Sequence, residues 1–584
     1  MKALLNIYKR AYSKGYLKYA IFAIVCIAID IMVALFIPYI SRIIIDEAIP
    51  NHDLNLVIRV GIIVISIAIA SVFSTIFNNI CAQYIATSVA SDIRIEMFEK
   101  IQELSLSNVD KVTTGKLITV VTNDINQIQQ IIVFSFRGII RAPITLIGSL
   151  VMAYITNQNL FLTVIIGVVS LTIALVFVFK TAAPLFSKIQ NRVDDLNTKL
   201  SETIGGAREV KAFVNEVSEE EKFNDVNEKY YKANLVANRV IVLVNPLVLL
   251  VSNILIGLVL YIASKLIMGG QSQLTGTVMT YVSYIQQIIN SLMLISTISI
   301  SISRAIVSSE RYQMIMDVKV DVENSTEESR VIEGNIRFEN VNFAYTEDDG
   351  TSEGITLNNI NLDIKAGEMI GVIGSTGSGK SSLISLIPRL YDVTDGTLYI
   401  DDINIKGYNL KDLRNQISLV TQEAIIFSGT ILDNIKQGNE MATIDEVNEA
   451  AALACALEFI DSMPEKYNTR ITQGGTSLSG GQRQRISIAR GLVRKPKVLI
   501  LDDSTSAVDA KTEKKIKQNL RTITGTTKII VAQKISSIID CDRIIVLGNG
   551  GYIDGFDTHK ELLKSSKVYK EIYASQYGGD VHEF

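Results

Sequence analysis

The sequence predicts two unlike domains: an α-helical transmembrane domain of six spans with long cytosolic helix extensions, then an α/β nucleotide-binding domain built on a phosphate loop. Three observations carry this. The first part of the chain, roughly 300 residues by hydropathy, is rich in Ile, Val and Leu and holds apolar runs of the ~20 residues that a helix needs to cross a bilayer. The remainder has the mixed polarity of a water-exposed domain. Within that remainder "GSTGSGKSS", 374–382, follows an apolar strand and opens a helix, the setting in which G-x-x-x-x-G-K-[ST] cradles phosphate. At 584 residues the chain also exceeds what one hydrophobic core sustains.

Composition narrows the function classes. A net charge of −4 provides no basic footprint for a phosphate backbone, so nucleic acid is set aside as a partner. The four cysteines, Cys26, Cys81, Cys455 and Cys541, form no CxxC pair and have no His cluster nearby, which argues for reduced thiols rather than a disulfide framework or a zinc site.

Taken in order, the chain opens with "MKALLNIYKRAYSKGYLK", basic and partly amphipathic. Lys2, Lys9, Arg10, Lys14 and Lys18 place the N-terminus in the cytosol, with a short helix on the inner membrane surface. No small-residue cleavage site follows, so the first apolar run is kept as a span. Spans are expected at 19–45, 56–84, 138–156, 160–181, 241–268 and 277–302. The connections "DEAIPNHDL", "TNQN" and "MGGQSQLTG" then face outward, and the even count returns the C-terminal half to the cytosol. The two inward connections, 85–137 and 182–240, are charged, poor in Gly and Pro, and apolar at helical spacing, so the helices should continue well beyond the membrane. Their turns, near 104–117 and 201–213, are expected docking points for a cytosolic domain. The expected division is 1–320 for the membrane domain, 321–332 for an acid-rich linker and 333–584 for the nucleotide domain.

A charge at membrane depth is costly and faces a cavity or a partner. For Asp30 two roles stand open: a place on the translocation pathway or a structural pair with another helix. Asn78, Asn79, Gln83, Asn253, Gln286, Gln287 and Asn290 either line a polar cavity or bond between helices. Arg137 and Arg141 are expected at the cytosolic mouth, snorkelling toward headgroups.

In the second domain, "GNIRFENVNFAY" and "ITLNNINLDI" alternate like antiparallel strands. The phosphate-binding residues are Gly374, Ser375, Thr376, Gly377, Ser378, Gly379, Lys380, Ser381 and Ser382. The glycines let backbone N–H groups converge on phosphate, Lys380 neutralises β/γ charge, and Ser381 ligates Mg²⁺. "KVLILDD" supplies a buried strand whose Asp502 reaches Mg²⁺, directly or through water. "LSGGQRQRISIARGL", 478–492, opens a further helix on Ser479 and two glycines, a second anion-binding arrangement. A nucleotide held by the phosphate loop has no need of it; a second molecule has.

With these motifs the chain resembles an ATP-binding-cassette exporter half-transporter, six membrane helices fused to one nucleotide-binding domain of ABC type. Leu478, Ser479, Gly480, Gly481 and Gln482 match the family signature; Tyr345 matches the aromatic residue that stacks on adenine; Gln422 matches the loop glutamine that also serves Mg²⁺; and Ser506, Ala507, Val508 and Asp509 match the D-loop. "TGKLITVVTND", "REVKAFVNE" and "SSERY" resemble coupling and linker segments of the exporter class. The resemblance implies two halves that sandwich two ATP molecules, each between one half's phosphate loop and the other's signature, with Mg²⁺ as cofactor.

Three positions depart from the family pattern. Asp503 stands where the catalytic Glu is expected, Gln533 where a His contacts the γ-phosphate, and Gln473 where exporters often have Glu. Losing a methylene retracts a carboxylate by roughly 1 Å, and such a misplacement costs about a hundredfold in rate. Gln cannot become a cation. The pattern resembles the degenerate-site subunit of heterodimeric multidrug-type exporters. It implies a second, non-identical half-transporter carrying the missing Glu and His and an altered signature, a hydrophobic or amphipathic compound or lipid as cargo, and a bacterial plasma membrane as location. Two other readings follow from the same residues: a homodimeric exporter with two slow sites, and an ATP-sensing regulatory subunit that transports nothing.

Overall fold

In the computed structural model, residues 2–13, 15–268, 275–325, 330–345, 354, 356–475 and 477–578 are described. The connection near 269–274, the middle of the linker (326–329) and the side chain of Gln473 lie outside them. A short amphipathic helix, α1 (Lys2–Ser13), comes first, with Leu4 and Ile7 buried and Tyr8 donating to the Ile131 carbonyl at 3.1 Å. Among the described residues six helices are long and apolar enough to span a membrane. They are α2 (Leu17–Ala48), α3 (Leu54–Glu103), α5 (Thr114–Thr156), α6 (Gln158–Gly205), α8 (Glu216–Met268) and α9 (Thr275–Met316). Each contains one of the apolar runs read from the sequence. The 50 residues of α3 reach roughly 75 Å at 1.5 Å per residue, more than twice the ~30 Å hydrocarbon layer, so the extension beyond the membrane is built into the helix itself. Two short helices lie at the turns expected near 104–117 and 201–213, α4 (Leu106–Val112) and α7 (Ala207–Ala212).

The chain divides into two compact units: Met1–Glu99 with Ile118–Met316, and Lys100–Leu117 with Asp317–Phe584. In the first, fully buried alanines such as Ala23, Ala82, Ala86 and Ala153 let helix backbones approach closely. Three acids inside this unit, Asp30, Asp46 and Asp124, are paired. Asp46, in a π-turn ending α2, accepts from Gly276 N (2.7 Å) and Thr277 Oγ1 (3.4 Å). Asp124, in a π-turn of α5, accepts from Ser308 Oγ and Arg311 Nη2, both at 2.7 Å. Asp30 is paired: Arg141 Nη2 lies 2.9 Å from its Oδ2, while Ser71 (2.9 Å) and Thr75 (3.1 Å) donate to Oδ1. Arg141 therefore bridges α5 to α2 instead of snorkelling, because an unpaired carboxylate at that depth would be costly. Gln287 likewise bonds between helices, donating to Ala34 O at 2.8 Å and accepting from Ser149, and Asn78 donates to Phe136 O.

The second unit holds a four-stranded antiparallel sheet, β2 (Leu357–Ile364), β1 (Ile336–Phe343), β4 (Asp395–Ile400) and β5 (Ile403–Asn404), in that spatial order. The alternation read in β1 and β2 appears as antiparallel pairing with Ile336 opposite Ile364. Beside it lies a six-stranded sheet with the order β10-β9-β3-β8-β7-β6, where β3 is Met369–Gly374, β6 Ile417–Val420, β7 Val498–Asp502, β8 Thr527–Val531, β9 Arg543–Leu547 and β10 Ile553–Asp557. Only β10 runs antiparallel. β3 and β7 are almost uninterrupted apolar runs, as strands covered on both faces must be. The carboxyl ends of β3, β7 and β8 lie together, where an open parallel sheet binds its ligand. The cysteines are free: Cys26, Cys81 and Cys541 buried, Cys455 partly so.

Candidate functional site

The turn after β3 is possible only with glycine. Gly377 and Gly379 have φ of +82° and +89°, and a Cβ on Gly379 would sit 2.7 Å from Leu357 Cδ2. A Cβ on Gly374 would meet the Leu547 carbonyl at 2.6 Å, so the loop hugs the end of β9. The loop then enters α10 (Lys380–Leu386). Lys380 Nζ donates to the carbonyls of Gly374 (2.9 Å) and Ser375 (2.7 Å), and burial holds its pKa below the usual lysine value. Ser375 Oγ bonds Asn549, and the buried Ser378 Oγ has no partner among the described residues.

β7 delivers the acids. Ser381 Oγ donates to Asp502 Oδ2 at 3.1 Å, which brings together the two side chains expected to hold the cation. Asp503 follows at φ +44°, a left-handed backbone that Asp tolerates better than longer side chains. Its N–H is bonded to Val531 O at 3.0 Å, and its Oδ2 accepts from two amides, Gln533 Nε2 at 3.0 Å and Gln422 Nε2 at 3.3 Å. Burial raises the pKa of both acids, and for Asp503 the neighbouring Asp502 adds to it.

These residues line a cavity of about 710 Å³ that includes Ser375, Thr376, Gly377, Lys380, Ser382, Gln422, Asp502, Asp503 and Gln533. The cavity, the glycine cradle a Cβ would fill, and the Ser381–Asp502 pair all fit a magnesium nucleotide. The sequence reading missed its far wall, supplied by Glu571, Ile572, Ser575 and Gln576 of the C-terminal helix; nothing in the local sequence there carries a phosphate-binding pattern. Tyr345 stands beside the cavity, its hydroxyl 3.0 Å from Ser382 Oγ and its ring edge-on to Phe343 and Tyr391.

The signature lies elsewhere: none of residues 478–482 lines this cavity. Ser479 caps helix α11 (Gly480–Leu492) in a reciprocal box, Gln482 N donating to Ser479 Oγ and Ser479 N to Gln482 Oε1. Gly481 is forced by the D-loop, since a Cβ would fall 2.9 Å from Ala507 O. Gln484, also missed, joins the two segments: it donates to Ser506 Oγ at 3.2 Å and accepts from Ala507 N at 2.9 Å. Ser506 Oγ in turn donates to Asp503 O, and Asp509 caps the next helix through Thr512 N. Leu478 is buried beneath.

Family models match both domains: the ABC transporter transmembrane region over residues 20–292, and the ABC transporter nucleotide domain over 357–506. The chain belongs to the ABC transporter family. Within it the transporter is 35% identical over 573 residues to an uncharacterized ABC transporter ATP-binding protein, YfiB, of Bacillus subtilis (strain 168), covering 98% of this chain and 99% of the relative. It is 31% identical over 563 residues to an ATP-dependent lipid A-core flippase of Syntrophus aciditrophicus (strain SB), covering 96% and 92%. A bacterial Atm1-family ABC exporter solved with ATP bound has the same fold, with a TM-score of 0.79 at 23% identity over 97% of this chain and 100% of that one. The transporter thus has one membrane domain fused to one ATP-binding domain in the fold of an ABC exporter; it is a multi-pass membrane protein whose ATP-binding domain implies ATPase activity coupled to transport.

Proposed function

We propose that this transporter is one subunit of a heterodimeric exporter working by alternating access, and that its own phosphate-loop site holds ATP without efficient turnover. The observation that carries the reading is the Asp503 carboxylate, one methylene short, with Gln422 and Gln533 both donating to its Oδ2. A general base needs a lone pair facing the water it activates; the two amides occupy Oδ2 and leave that task to Oδ1 of a side chain one methylene short. Gln533 cannot supply a positive charge to the γ-phosphate. Binding is a different matter. The backbone N–H groups of the loop would meet the phosphates, Lys380 would supply charge, Ser381, Asp502 and Gln422 would hold the cation, and Tyr345 would stack on adenine. A Mg²⁺ ion held there would supply neutralisation of phosphate charge.

In this reading Leu478, Ser479, Gly480, Gly481 and Gln482, with Ser506 and Asp509, complete the competent ATP site of a non-identical partner that brings its own Glu and His. The chain divides as 1–320, 321–332 and 333–584, with the N-terminus and cassette on the cytosolic side of a bacterial plasma membrane. Closure of the cassettes is carried to the spans by α4 and α7. A hydrophobic or amphipathic cargo is supported by the relatives named as lipid A-core flippases.

A second reading, a homodimer with two slow sites, draws on one observation: burial raises the Asp503 carboxyl and so makes it a stronger base. The separating experiment is ATPase of this chain reconstituted without any partner and carrying Asp503→Glu, alone and combined with Gln533→His. The double change is expected to raise turnover about a hundredfold and the single one by less than about tenfold. Brisk hydrolysis by the unaltered chain without any partner, or a large rise from Asp503→Glu alone, overturns the heterodimer reading.

A further inference from the structure

The switch segment that carries Gln533 is held by a residue forty positions downstream. Ala532 N–H is fixed by Val372 O at 3.1 Å, and Ile535 is fully buried, so the chain is anchored on both sides of Gln533 and Lys534. Between those anchors the backbone has one more support. Gln576 Oε1 accepts from Ile535 N at 2.8 Å, and Gln576 Nε2 donates to Gln533 O at 2.8 Å. One side-chain amide thus behaves as a peptide unit of an added strand and satisfies a donor and an acceptor two residues apart.

Gln576 is positioned by a rigid element. Its helix, α14 (Lys567–Tyr577), is capped by Ser566, which accepts from Tyr569 N at 3.0 Å, and Val568 N donates to Asp554 Oδ2 at 3.1 Å. Tyr569 is fully buried with its hydroxyl 2.7 Å from His559 Nδ1. Gln576 itself is exposed and touches the cavity wall, so it contributes nothing to the hydrophobic core.

We infer that Gln576 is a positioning residue for γ-phosphate sensing: by clamping the backbone on either side of Lys534 it sets the direction of the Gln533 amide, which meets Asp503 Oδ2 at 3.0 Å at the end of the cavity. A side chain placed by a fixed second layer loses selectivity when that layer is removed, although the groove that binds the rest of the ligand remains. Tyr345, the phosphate loop and Ser381, which are expected to hold the rest of the nucleotide, lie outside this segment. Loss of Gln576 should therefore weaken triphosphate binding and leave diphosphate binding alone.

The inference rests on the reading that Gln533 faces the γ-phosphate, and the experiment separates the two. The full-length transporter in lipid nanodiscs is titrated with MgADP and with the Mg²⁺ complex of the β,γ-imido analogue of ATP. Four forms are compared: unaltered, Gln533→Ala, Gln576→Leu and the double variant. Gln576→Leu and Gln533→Ala are each expected to lower the triphosphate-to-diphosphate affinity ratio by roughly three- to tenfold, the worth of one net hydrogen bond. The double variant should be no worse than Gln533→Ala, since both act through one group. Gln576→Glu, which keeps the acceptor for Ile535 N–H and loses the donor to Gln533 O, should fall between. If Gln533→Ala shifts the ratio and Gln576→Leu does not, or if Gln576→Leu weakens MgADP equally, the positioning role is overturned. If Gln533→Ala itself leaves the ratio unchanged, the γ-phosphate reading fails and takes the inference with it.

Discussion

The chain carries two regions for nucleotide chemistry, and they differ in kind. The cavity at the ends of β3 and β7 is roomy and lined with binding groups, and at one corner Asp503 accepts from the Gln533 and Gln422 amides, where the resemblance leads one to expect Glu and His. The signature region on α11 matches the family at every position from Leu478 to Gln482 and is braced by Gln484 onto the D-loop, yet it borders no cavity of its own nucleotide. In the proposed reading the signature serves a nucleotide other than the one held by this chain's own phosphate loop.

The largest effect that would break this comparison comes from the signature. Ser479→Arg is expected to lower ATPase of the assembled transporter by about a hundredfold or more, the cost of losing a phosphate-facing donor, while nucleotide binding at the loop of the same chain changes less than about twofold. Equal loss of both, read by ATPase and by nucleotide titration, would mean that the two regions are not independent. Lys380→Ala tests the other side. Removing a charge-assisted contact should weaken MgATP binding to this chain roughly 10- to 100-fold, with only a small change in the protein's thermal midpoint, because the lysine's present partners are loop carbonyls. The smallest effect is pH-dependent. Burial holds Asp502 and Asp503 more strongly protonated in the folded cassette than in the unfolded chain, so their ionisation costs stability as pH rises through the raised range. A bound cation needs Asp502 ionised, so Mg²⁺-nucleotide affinity should decline severalfold as pH falls through that raised range. Asp503→Asn, which leaves the cation's own carboxylate in place, should preserve that decline.

What could be read beforehand follows from what leaves a periodic or compact trace. Six apolar runs, the glycine-and-lysine loop and the alternating β1 and β2 are local patterns, and each marks a local structure. The interhelical pair of Asp30 and Arg141 has no such trace, because its members lie on α2 and α5 and meet only when the helices pack. Arg141 alone reads as a residue at the membrane edge; only the geometry makes it a partner. Gln484 and Gln576 are similar cases, ordinary polar residues in amphipathic helices whose amides bond to loops far off in the chain. The turns at Asp46 and Asp124 also escaped notice, since a π-turn differs from α-helix by one inserted residue and by the partner its carboxylate finds.

One feature of the second unit bears on how this protein can be taken apart. The short helix α4, though it follows the second span, belongs to the same compact unit as the cassette. Asp110 accepts from the Tyr391 hydroxyl at 2.6 Å, while Ser107 and Lys111 both reach Asp321 at 3.0 and 3.1 Å. A cassette cut free at its linker would lose this cover and leave Tyr391 and its aromatic neighbours open to water, beside the ring expected to receive adenine. A soluble fragment meant to retain native nucleotide affinity should therefore carry α4 with it, grafted or added as a peptide.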